Sequence, residues 1–325
     1  MSNLETNSVE ERCESHPDGG GIQVLGAREV PLGGPRAMPV RRTLPQRERS
    51  LIGAWCFADH YGPNDVGTTG GMNVPPHPHT GLQTVSWLFT GEIEHRDSIG
   101  SHAMVRPGEL NLMTAGRGIA HSEVSTPETR ILHGAQLWVA LPASAQDADP
   151  AFETYAPDPV ELDGATVRVF LGRTAGSTSP VRTFTPLLGA EILLEPGADV
   201  TLDIERGFEV GVLVDEGEVQ LRGTTLRWAE LGYQPPGESL VALRNTGGTR
   251  ARLLLLGGEP LGEQVIMWWN FLGRSHEDIV GYRREWQSEL RGAAPADPRF
   301  GTVEGYDGDP LPAPELPNSR LKPRG

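Results

Sequence analysis

The chain has 325 residues, a length that suits one large domain or two smaller ones. Its formal net charge of −15 repels nucleic-acid phosphates, so direct binding to DNA or RNA is not expected. The 41 glycines and 28 prolines, with few long apolar runs, favour an all-β protein of many short strands and turns over one built from long helices.

The N-terminal segment, residues 1–21, is polar and acidic and has no apolar core of the kind that a secretion signal needs. We predict that it is a disordered tail. Cys13 lies in this tail and Cys56 in an apolar strand-like run, so a disulfide between them is not expected and Cys56 is predicted to be buried. With no apolar run long enough to cross a membrane, the sequence predicts a cytoplasmic protein without membrane contact.

The first part of the chain alternates strand-like runs with turns. A strand is predicted near residues 22–25, another over residues 51–57, and a β-prone run over residues 84–89 that ends at the turn residue Gly91. His60 stands just before a Gly-Pro turn, which favours a structural hydrogen bond over metal ligation.

Two pairs of metal-ligating residues lie about forty positions apart within this alternation. His77 and His79 form the first pair, and His121 and Glu123 form the second. Residues two apart on a strand share a face, so each pair can point one way. If the two strands face each other across a small barrel, three imidazoles and a carboxylate converge on its inner wall. This quartet is a much more specific signal than a single His-x-His motif.

Three imidazole nitrogens and one carboxylate oxygen suit a divalent first-row metal such as iron, manganese, nickel, copper or zinc. Four protein ligands leave two positions open on an octahedral ion for a chelating substrate or dioxygen. The remaining histidines of this half are interpreted differently. His95 and His102 are predicted to be polar residues of the outer face, and His133 a buried hydrogen-bonding residue.

The second half repeats the strand-and-turn rhythm after a connector rich in Ala, Asp and Pro over residues 143–163. It contains no histidine from Thr166 to Gly273, which excludes a second three-histidine site there. Adjacent Trp268 and Trp269 would face opposite ways on a strand, so we expect one of them to pack and the other to reach a second domain or chain.

A helix is predicted from about His276 to Leu290, after a capping box formed by Ser275 and Asp278. Its apolar face consists of Ile279, Tyr282, Trp286 and Leu290. His276, in the first turn, is expected at the surface. Residues 293–325 are predicted to form an extended tail over the surface, with Leu311, Leu316 and Leu321 as attachment points, or to be partly disordered.

The sequence resembles the pirin family over about residues 22–290. The resemblance rests on His77-Pro-His-Thr-Gly-Leu-Gln-Thr-Val-Ser-Trp87, Met113-Thr-Ala-Gly-Arg-Gly-Ile-Ala-His-Ser-Glu123, Phe57-Ala-Asp-His-Tyr-Gly-Pro63, Leu137-Trp-Val139 and Gly258-Glu-Pro-Leu261. It implies a bicupin: two tandem double-stranded β-helix (jelly-roll) barrels, with iron in the first, held by His77, His79, His121 and Glu123. The implied divisions are an N-terminal cupin over residues 22–142 and a C-terminal cupin with its helix over residues 164–292. Gln83 stands where many pirins carry Glu, which puts an acid or base role of that position in doubt.

The resemblance also implies quercetin 2,3-dioxygenase activity on flavonol-like substrates, with dioxygen as co-substrate. Bound Fe²⁺ would be the cofactor and Glu123 the catalytic base that takes the substrate proton. The alternative is an iron-dependent redox-sensing regulator that acts through protein partners without catalysis. Turnover of a flavonol discriminates the two functions.

Overall fold

The computed structural model of the chain describes residues 21–32, 38–293 and 296–323. The predicted disordered tail therefore lies outside the described residues, apart from Gly21. Within the described part strands far outweigh helices, which confirms the all-β prediction. Among the described helices, none is long and apolar enough to cross a membrane.

The first half of the chain contains twelve strands within the described residues. They are β1 (Gln23–Gly26), β2 (Arg28–Leu32), β3 (Met38–Leu44), β4 (Trp55–Asp65), β5 (Asn73–His79), β6 (Leu82–Thr90), β7 (Ile93–Asp97), β8 (His102–Val105), β9 (Leu110–Thr114), β10 (Ile119–Ser125), β11 (Ile131–Ala140) and β12 (Ala151–Tyr155). A short helix α1 (Val66–Thr69) follows β4, and a 3-10 turn (Ala143–Ala145) follows β11.

The second half contributes the remaining strands and the longest helix of the described chain. They are β13 (Val160–Leu162), β14 (Ala165–Leu171), β15 (Arg173–Thr174), β16 (Ser177–Thr178), β17 (Leu187–Leu194), β18 (Asp199–Asp203), β19 (Glu209–Glu216), β20 (Val219–Leu221), β21 (Thr224–Leu226), β22 (Glu230–Gln234), β23 (Leu240–Asn245), β24 (Ala251–Gly258), β25 (Ile266–Trp268), β26 (Phe271–Gly273) and α2 (His276–Leu290).

Each half forms a barrel from a seven-stranded and a four-stranded sheet. The N-terminal barrel combines the order β12-β9-β6-β11-β4-β3-β2 with β5-β10-β7-β8. The C-terminal barrel combines β1-β22-β19-β24-β17-β14-β13 with β18-β23-β20-β21. Apolar side chains fill the space between the two sheets of each barrel. The two-barrel prediction is confirmed.

The barrels pack against each other through the outer faces of their seven-stranded sheets. Trp55 and Trp87 from the first barrel share one buried cluster with Phe170 and Leu254 from the second. The Trp55 indole donates to two carbonyls of the C-terminal sheet, at 3.2 and 3.1 Å. A continuous apolar interface of this kind holds the barrels in one arrangement.

Two strands lie outside the barrels that their sequence positions suggest. β1 pairs antiparallel with β22 in the C-terminal barrel, although the chain continues from it into the N-terminal one. β12, within the predicted connector, is an edge strand of the N-terminal sheet beside β9. The boundaries predicted at residues 142 and 164 stay a prediction.

The C-terminal helix begins and ends where the sequence predicts. The Ser275 hydroxyl accepts from the Asp278 amide at 3.1 Å, and the Asp278 carboxylate accepts from the Ser275 amide at 2.9 Å. Ile279, Tyr282 and Trp286 are buried, as the spacing predicts.

The tail beyond this helix attaches to the body as predicted. Leu321 is buried in the cluster around the helix, and Leu311 and Leu316 pack against that cluster. His276, which is expected at the surface, takes part in this attachment, because its Nδ1 accepts a hydrogen bond from the Leu321 amide at 3.1 Å.

The expectation for the adjacent tryptophans is wrong. Trp268 and Trp269 are both buried in the same cluster, with 2% and 1% of their surface exposed. β25 ends at Trp268, and Trp269 adopts a φ of 54°. The alternation of a strand therefore does not continue through the pair, and both rings turn inward.

Candidate metal centre

The two ligand pairs lie on adjacent strands of one sheet, not across the barrel from each other. β5 and β10 are hydrogen-bonded antiparallel neighbours, and His121 pairs directly with His77. Neighbouring strands lie about 5 Å apart, so paired residues present their side chains on the same face. This brings the three histidines together by a different arrangement from the one that the sequence suggested.

The three histidines come together inside the barrel. One ring nitrogen from each of His77, His79 and His121 lies within 4.8 Å of the other two, and all three residues are buried. The Nε2 atoms of these rings are buried without a hydrogen-bond partner in the described chain. Because buried polar atoms are rarely left unpaired, three such atoms aimed at one point fit the donor set of a bound cation.

Hydrogen bonds on the far side of two rings fix their tautomer. His77 Nδ1 lies 2.9 Å from the Pro75 carbonyl, and His79 Nδ1 lies 3.1 Å from the Asn270 carbonyl. A carbonyl oxygen only accepts, so each Nδ1 carries the proton and each Nε2 offers a lone pair. The loop that follows β25 thus orients a candidate ligand on β5.

The third ring is fixed by a relay through a second histidine. Asp97 Oδ2 accepts from His95 Nε2 at 3.2 Å, which leaves the lone pair of His95 on Nδ1. That nitrogen lies 3.4 Å from His121 Nδ1, which therefore donates and leaves its own Nε2 free for a metal. The Asp97 carboxylate is itself held by the Ser101 amide at 2.8 Å.

The prediction that His95 belongs to the outer face is wrong. Its side chain is buried, stacks on Phe152 with ring centroids 4.4 Å apart, and contacts the candidate ligand His121. His95 is paired in register with Glu123 on β10, so it shares the inner face with the candidate ligands. His102, by contrast, is exposed and interacts with Glu94, as predicted.

Burial keeps the three rings in the form that binds metal. It lowers the pKa of His77 to about 3, and it also brings the pKa values of His79 and His121 well below the ordinary histidine value. All three imidazoles are therefore neutral at physiological pH, as metal ligation requires.

Glu123 lies on the same inner face but outside the close histidine group. The β10–β5 register shifts between His121 and Glu123, where a β-bulge interrupts the ladder. Its Oε1 lies 3.4 Å from the Ser86 hydroxyl of the opposite sheet. Burial first, and then the charge of Glu123, raise the pKa of Tyr61 well above its ordinary value. The carboxylate thus faces the barrel interior between the histidines and the large sheet.

Gln83 points away from this centre. On β6 it alternates with Thr84, so it shares the face of Val85 and Trp87, which pack in the interface between the barrels. On that face its side chain donates to Thr114 at 2.9 Å. Gln83 therefore makes no contact with the candidate centre in the described chain, and an acid or base role at this position stays in doubt.

A second histidine group lies between the barrels, and sequence reasoning missed it. His60 and His133 of the N-terminal sheet both meet Asp215 of β19, with all three residues buried. His60 was predicted to make a structural hydrogen bond and His133 to be a buried hydrogen-bonding residue, and both predictions are confirmed. Asp215 carries no local motif, so only the packing of the barrels reveals it.

Comparison with family models agrees with the geometry. The pirin model matches residues 37–139, and the model of the pirin C-terminal cupin domain matches residues 189–291. The chain belongs to the pirin family. The histidine group lies within the first match, and the two matches fall on the two barrels.

Similar proteins cover nearly the whole of this pirin. A Pseudomonas aeruginosa protein named "Putative quercetin 2,3-dioxygenase" is 41% identical over 297 residues, which are 91% of each chain. A crystal structure of quercetin 2,3-dioxygenase from Acinetobacter baumannii superposes with a TM-score of 0.85 at 36% identity, covering 93% of this chain and 98% of that one. A bacterial pirin from Escherichia coli in complex with nickel(II) has a TM-score of 0.57 at 20% identity, covering 74% of this chain and all of that one, a likeness of fold alone.

Proposed function

We propose that this pirin is a metal-dependent dioxygenase of the quercetin 2,3-dioxygenase type, acting on quercetin-type flavonols or related enol and carbonyl compounds. The observation that carries the proposal is the group of three buried, unprotonated Nε2 atoms that converge inside the N-terminal barrel. The printed names of the Pseudomonas and Acinetobacter proteins support the reaction class.

The proposed ligands are His77, His79, His121 and Glu123. We propose Fe²⁺ as the resident ion, although manganese, nickel, copper and zinc also suit three imidazoles and a carboxylate. Such an ion supplies Lewis acidity and redox chemistry through which an enol compound reacts with dioxygen. A dioxygenase places both oxygen atoms in the product, so the reaction needs no external reductant.

The residues around the centre have different roles in the proposed reaction. Glu123, inside the barrel, accepts the proton of the substrate hydroxyl and so generates the enolate. The Ser86 hydroxyl lies 3.4 Å from Glu123 Oε1 and 2.8 Å from Gln136 Oε1, so its single proton is shared between these two acceptors. Asp97 and His95 hold the His121 ring in its ligating tautomer.

Compartment and partners complete the proposal. The thiol of Cys56 is buried, which fits the reducing cytoplasm that we propose as the location. The proposed partners are the small-molecule substrate and dioxygen.

The test is aerobic turnover of quercetin, with the metal content measured on the same sample and on the Glu123→Ala variant. We expect oxygen consumption in proportion to bound iron, and its loss in the variant. Bound iron without turnover of any flavonol would contradict the enzymatic function and favour a redox-sensing regulator, whose protein partners would change with the oxidation state of the iron.

A further inference from the structure

A row of polar side chains crosses the inner face of the large N-terminal sheet. The strand register places Asn111 beside Ser86, Ser86 beside Gln136, Gln136 beside Asp59, and Asp59 beside Arg42. All five residues are buried, with at most 5% of their surface exposed. A polar row five strands wide inside a barrel costs desolvation energy, so its hydrogen-bonding partners need to be identified.

One end of the row is fully paired within the protein. Arg42 donates to both oxygens of Asp59, at 2.7 and 2.9 Å, and its guanidinium lies over the Phe57 ring at 4.3 Å. This pair has the bidentate geometry of a structural ion pair.

The other end of the row is incompletely paired. Gln136 accepts from the Ser86 hydroxyl at 2.8 Å, but its Nε2 has no partner among the described residues. Neither the oxygen nor the nitrogen of the Asn111 side chain has one. Tyr61 lies two residues after Asp59 on β4. Its hydroxyl is also buried and has no hydrogen-bond partner in the described chain.

These unpaired groups adjoin the metal centre. Ser86, between Asn111 and Gln136 in the row, is the residue that contacts Glu123. Trp138, on the same face of β11 as Gln136, stacks on Phe57 at 4.0 Å and meets the His79 ring at 5.2 Å. The candidate centre thus lies beside donors and acceptors that no described residue pairs with, and the Trp138 ring borders the same interior.

We propose that Asn111, Gln136 and Tyr61 form a substrate-orienting subsite for the ring hydroxyl groups of a planar polyhydroxylated aromatic compound. The proposal rests on the proposed function for the chelation of the hydroxyl-carbonyl edge at the metal. Asn111 both donates and accepts, Gln136 donates, and the Tyr61 hydroxyl does either, which matches hydroxyl groups that are themselves donors and acceptors. A site built to bind a hydroxyl group discriminates against the analogue that lacks it.

The test compares the binding of quercetin with that of 3-hydroxyflavone, which keeps the chelating edge and lacks the other ring hydroxyls. Both are titrated anaerobically into the full-length, metal-loaded protein, so that no turnover is needed. In Asn111→Leu and Gln136→Met we expect quercetin affinity to fall about tenfold or more, because one hydrogen bond to a buried group is lost. Affinity for 3-hydroxyflavone should change less than about twofold in the same variants.

Gln83→Met is the matched control, since it removes a buried amide from the opposite face of the same sheet. It should leave the affinity ratio of the two flavonols unchanged. 3-Hydroxyflavone binding also reports that each variant has folded with an intact centre.

An equal fall for both compounds, an unchanged quercetin affinity, or wild-type protein that binds quercetin no better than 3-hydroxyflavone would overturn the subsite. Selective binding without oxygen consumption would leave the subsite standing and contradict the proposed dioxygenase instead. Turnover without selective binding would overturn the subsite and leave the proposed dioxygenase standing.

Discussion

His133 of the N-terminal barrel donates to Asp215 of the C-terminal barrel across 2.6 Å. His60, on the neighbouring strand, reaches the same carboxylate oxygen, and Arg252 donates to the other at 2.9 Å. A buried carboxylate with three partners therefore joins the two barrels beside an apolar interface. Both histidines pair with that one carboxylate oxygen, so removal of its charge leaves two buried rings with a weaker acceptor.

Replacing this carboxylate should weaken the whole protein. In Asp215→Asn the charge is lost, the histidines lose their charged acceptor, and Arg252 keeps a weaker partner, so we expect about 3 kcal/mol less free energy of unfolding. Denaturant titration followed by tryptophan fluorescence measures the change. Glu216→Gln is the control, because this exposed neighbour on β19 also contacts Arg252 and should cost less than about 0.5 kcal/mol. Equal effects of the two variants would contradict a tie between the barrels.

The same group predicts how stability depends on pH. Burial lowers the pKa of His60 despite its hydrogen bond to Asp215, with Arg41 and His133 nearby. Between the unfolded pKa, about 6.5, and the lower folded value, the unfolded chain binds the extra proton. The contribution of His60 to the free energy of unfolding is therefore fully present above about pH 6.5 and is lost as the pH falls toward the folded pKa.

Asp215 shifts stability in a more acidic range. Burial alone would raise its pKa, but hydrogen bonds from His133 and His60 outweigh burial and hold the pKa below the usual range. Its contribution is present above the unfolded pKa, about 3.9, and is lost below it.

The contribution of His60 is isolated by measuring the free energy of unfolding of metal-free wild type and of His60→Gln at pH 7.5 and pH 5. We expect a smaller loss of stability in the variant, and parallel losses would contradict the assignment.

Sequence patterns predict those parts of the candidate site whose signal is local. The spacing of His77 with His79, and of His121 with Glu123, was enough to place each pair on one face of a strand. The capping box at Ser275 is a local pattern of the same kind. Each of these patterns lies within a few residues of chain, where strand and helix periodicity decide the geometry.

The contributions of His95 and Asp215 required long-range information. His95 faces inward because β7 pairs with β10, and that register is fixed by the folded barrel. Asp215 meets His60 across 155 positions of sequence, and nothing local marks it. The bulge that separates Glu123 from the histidine group likewise depends on the pairing of β10 with β5. Packing decides these features, and local periodicity does not encode them.

His95 should tune metal affinity without touching the metal. In His95→Phe the stack on Phe152 can remain, but the acceptor for His121 Nδ1 is lost and His121 can place its proton on Nε2. We expect metal affinity to fall about 10–100-fold, as measured by competition with a chelator. His102→Phe removes an exposed histidine from the neighbouring strand and should leave the affinity unchanged. A wild-type affinity in His95→Phe would show that the relay does not hold the His121 tautomer.

Gly116 should be irreplaceable because the connector crosses the turn that leads into β10. Its φ is 50°, and a Cβ at this position would lie 1.9 Å from the Ala148 carbonyl oxygen, which also accepts from the Arg117 amide at 2.9 Å. Gly197 has a φ of 75° with no atom near its Cβ position. The strained backbone alone costs about 1–2 kcal/mol, so Gly197→Ala measures that cost by itself.

Gly116→Ala adds a backbone overlap, and the free energy of unfolding should fall by at least about 3 kcal/mol. Relief of the overlap moves the turn away from the connector. Since β10 begins three residues later and carries His121, we also expect weaker metal binding in Gly116→Ala and unchanged binding in Gly197→Ala. Denaturant titration and chelator competition on both variants test this. Equal destabilisation by Gly116→Ala and Gly197→Ala would show that the turn relieves the overlap with Ala148 at no further cost. The metal centre would then not depend on the connector.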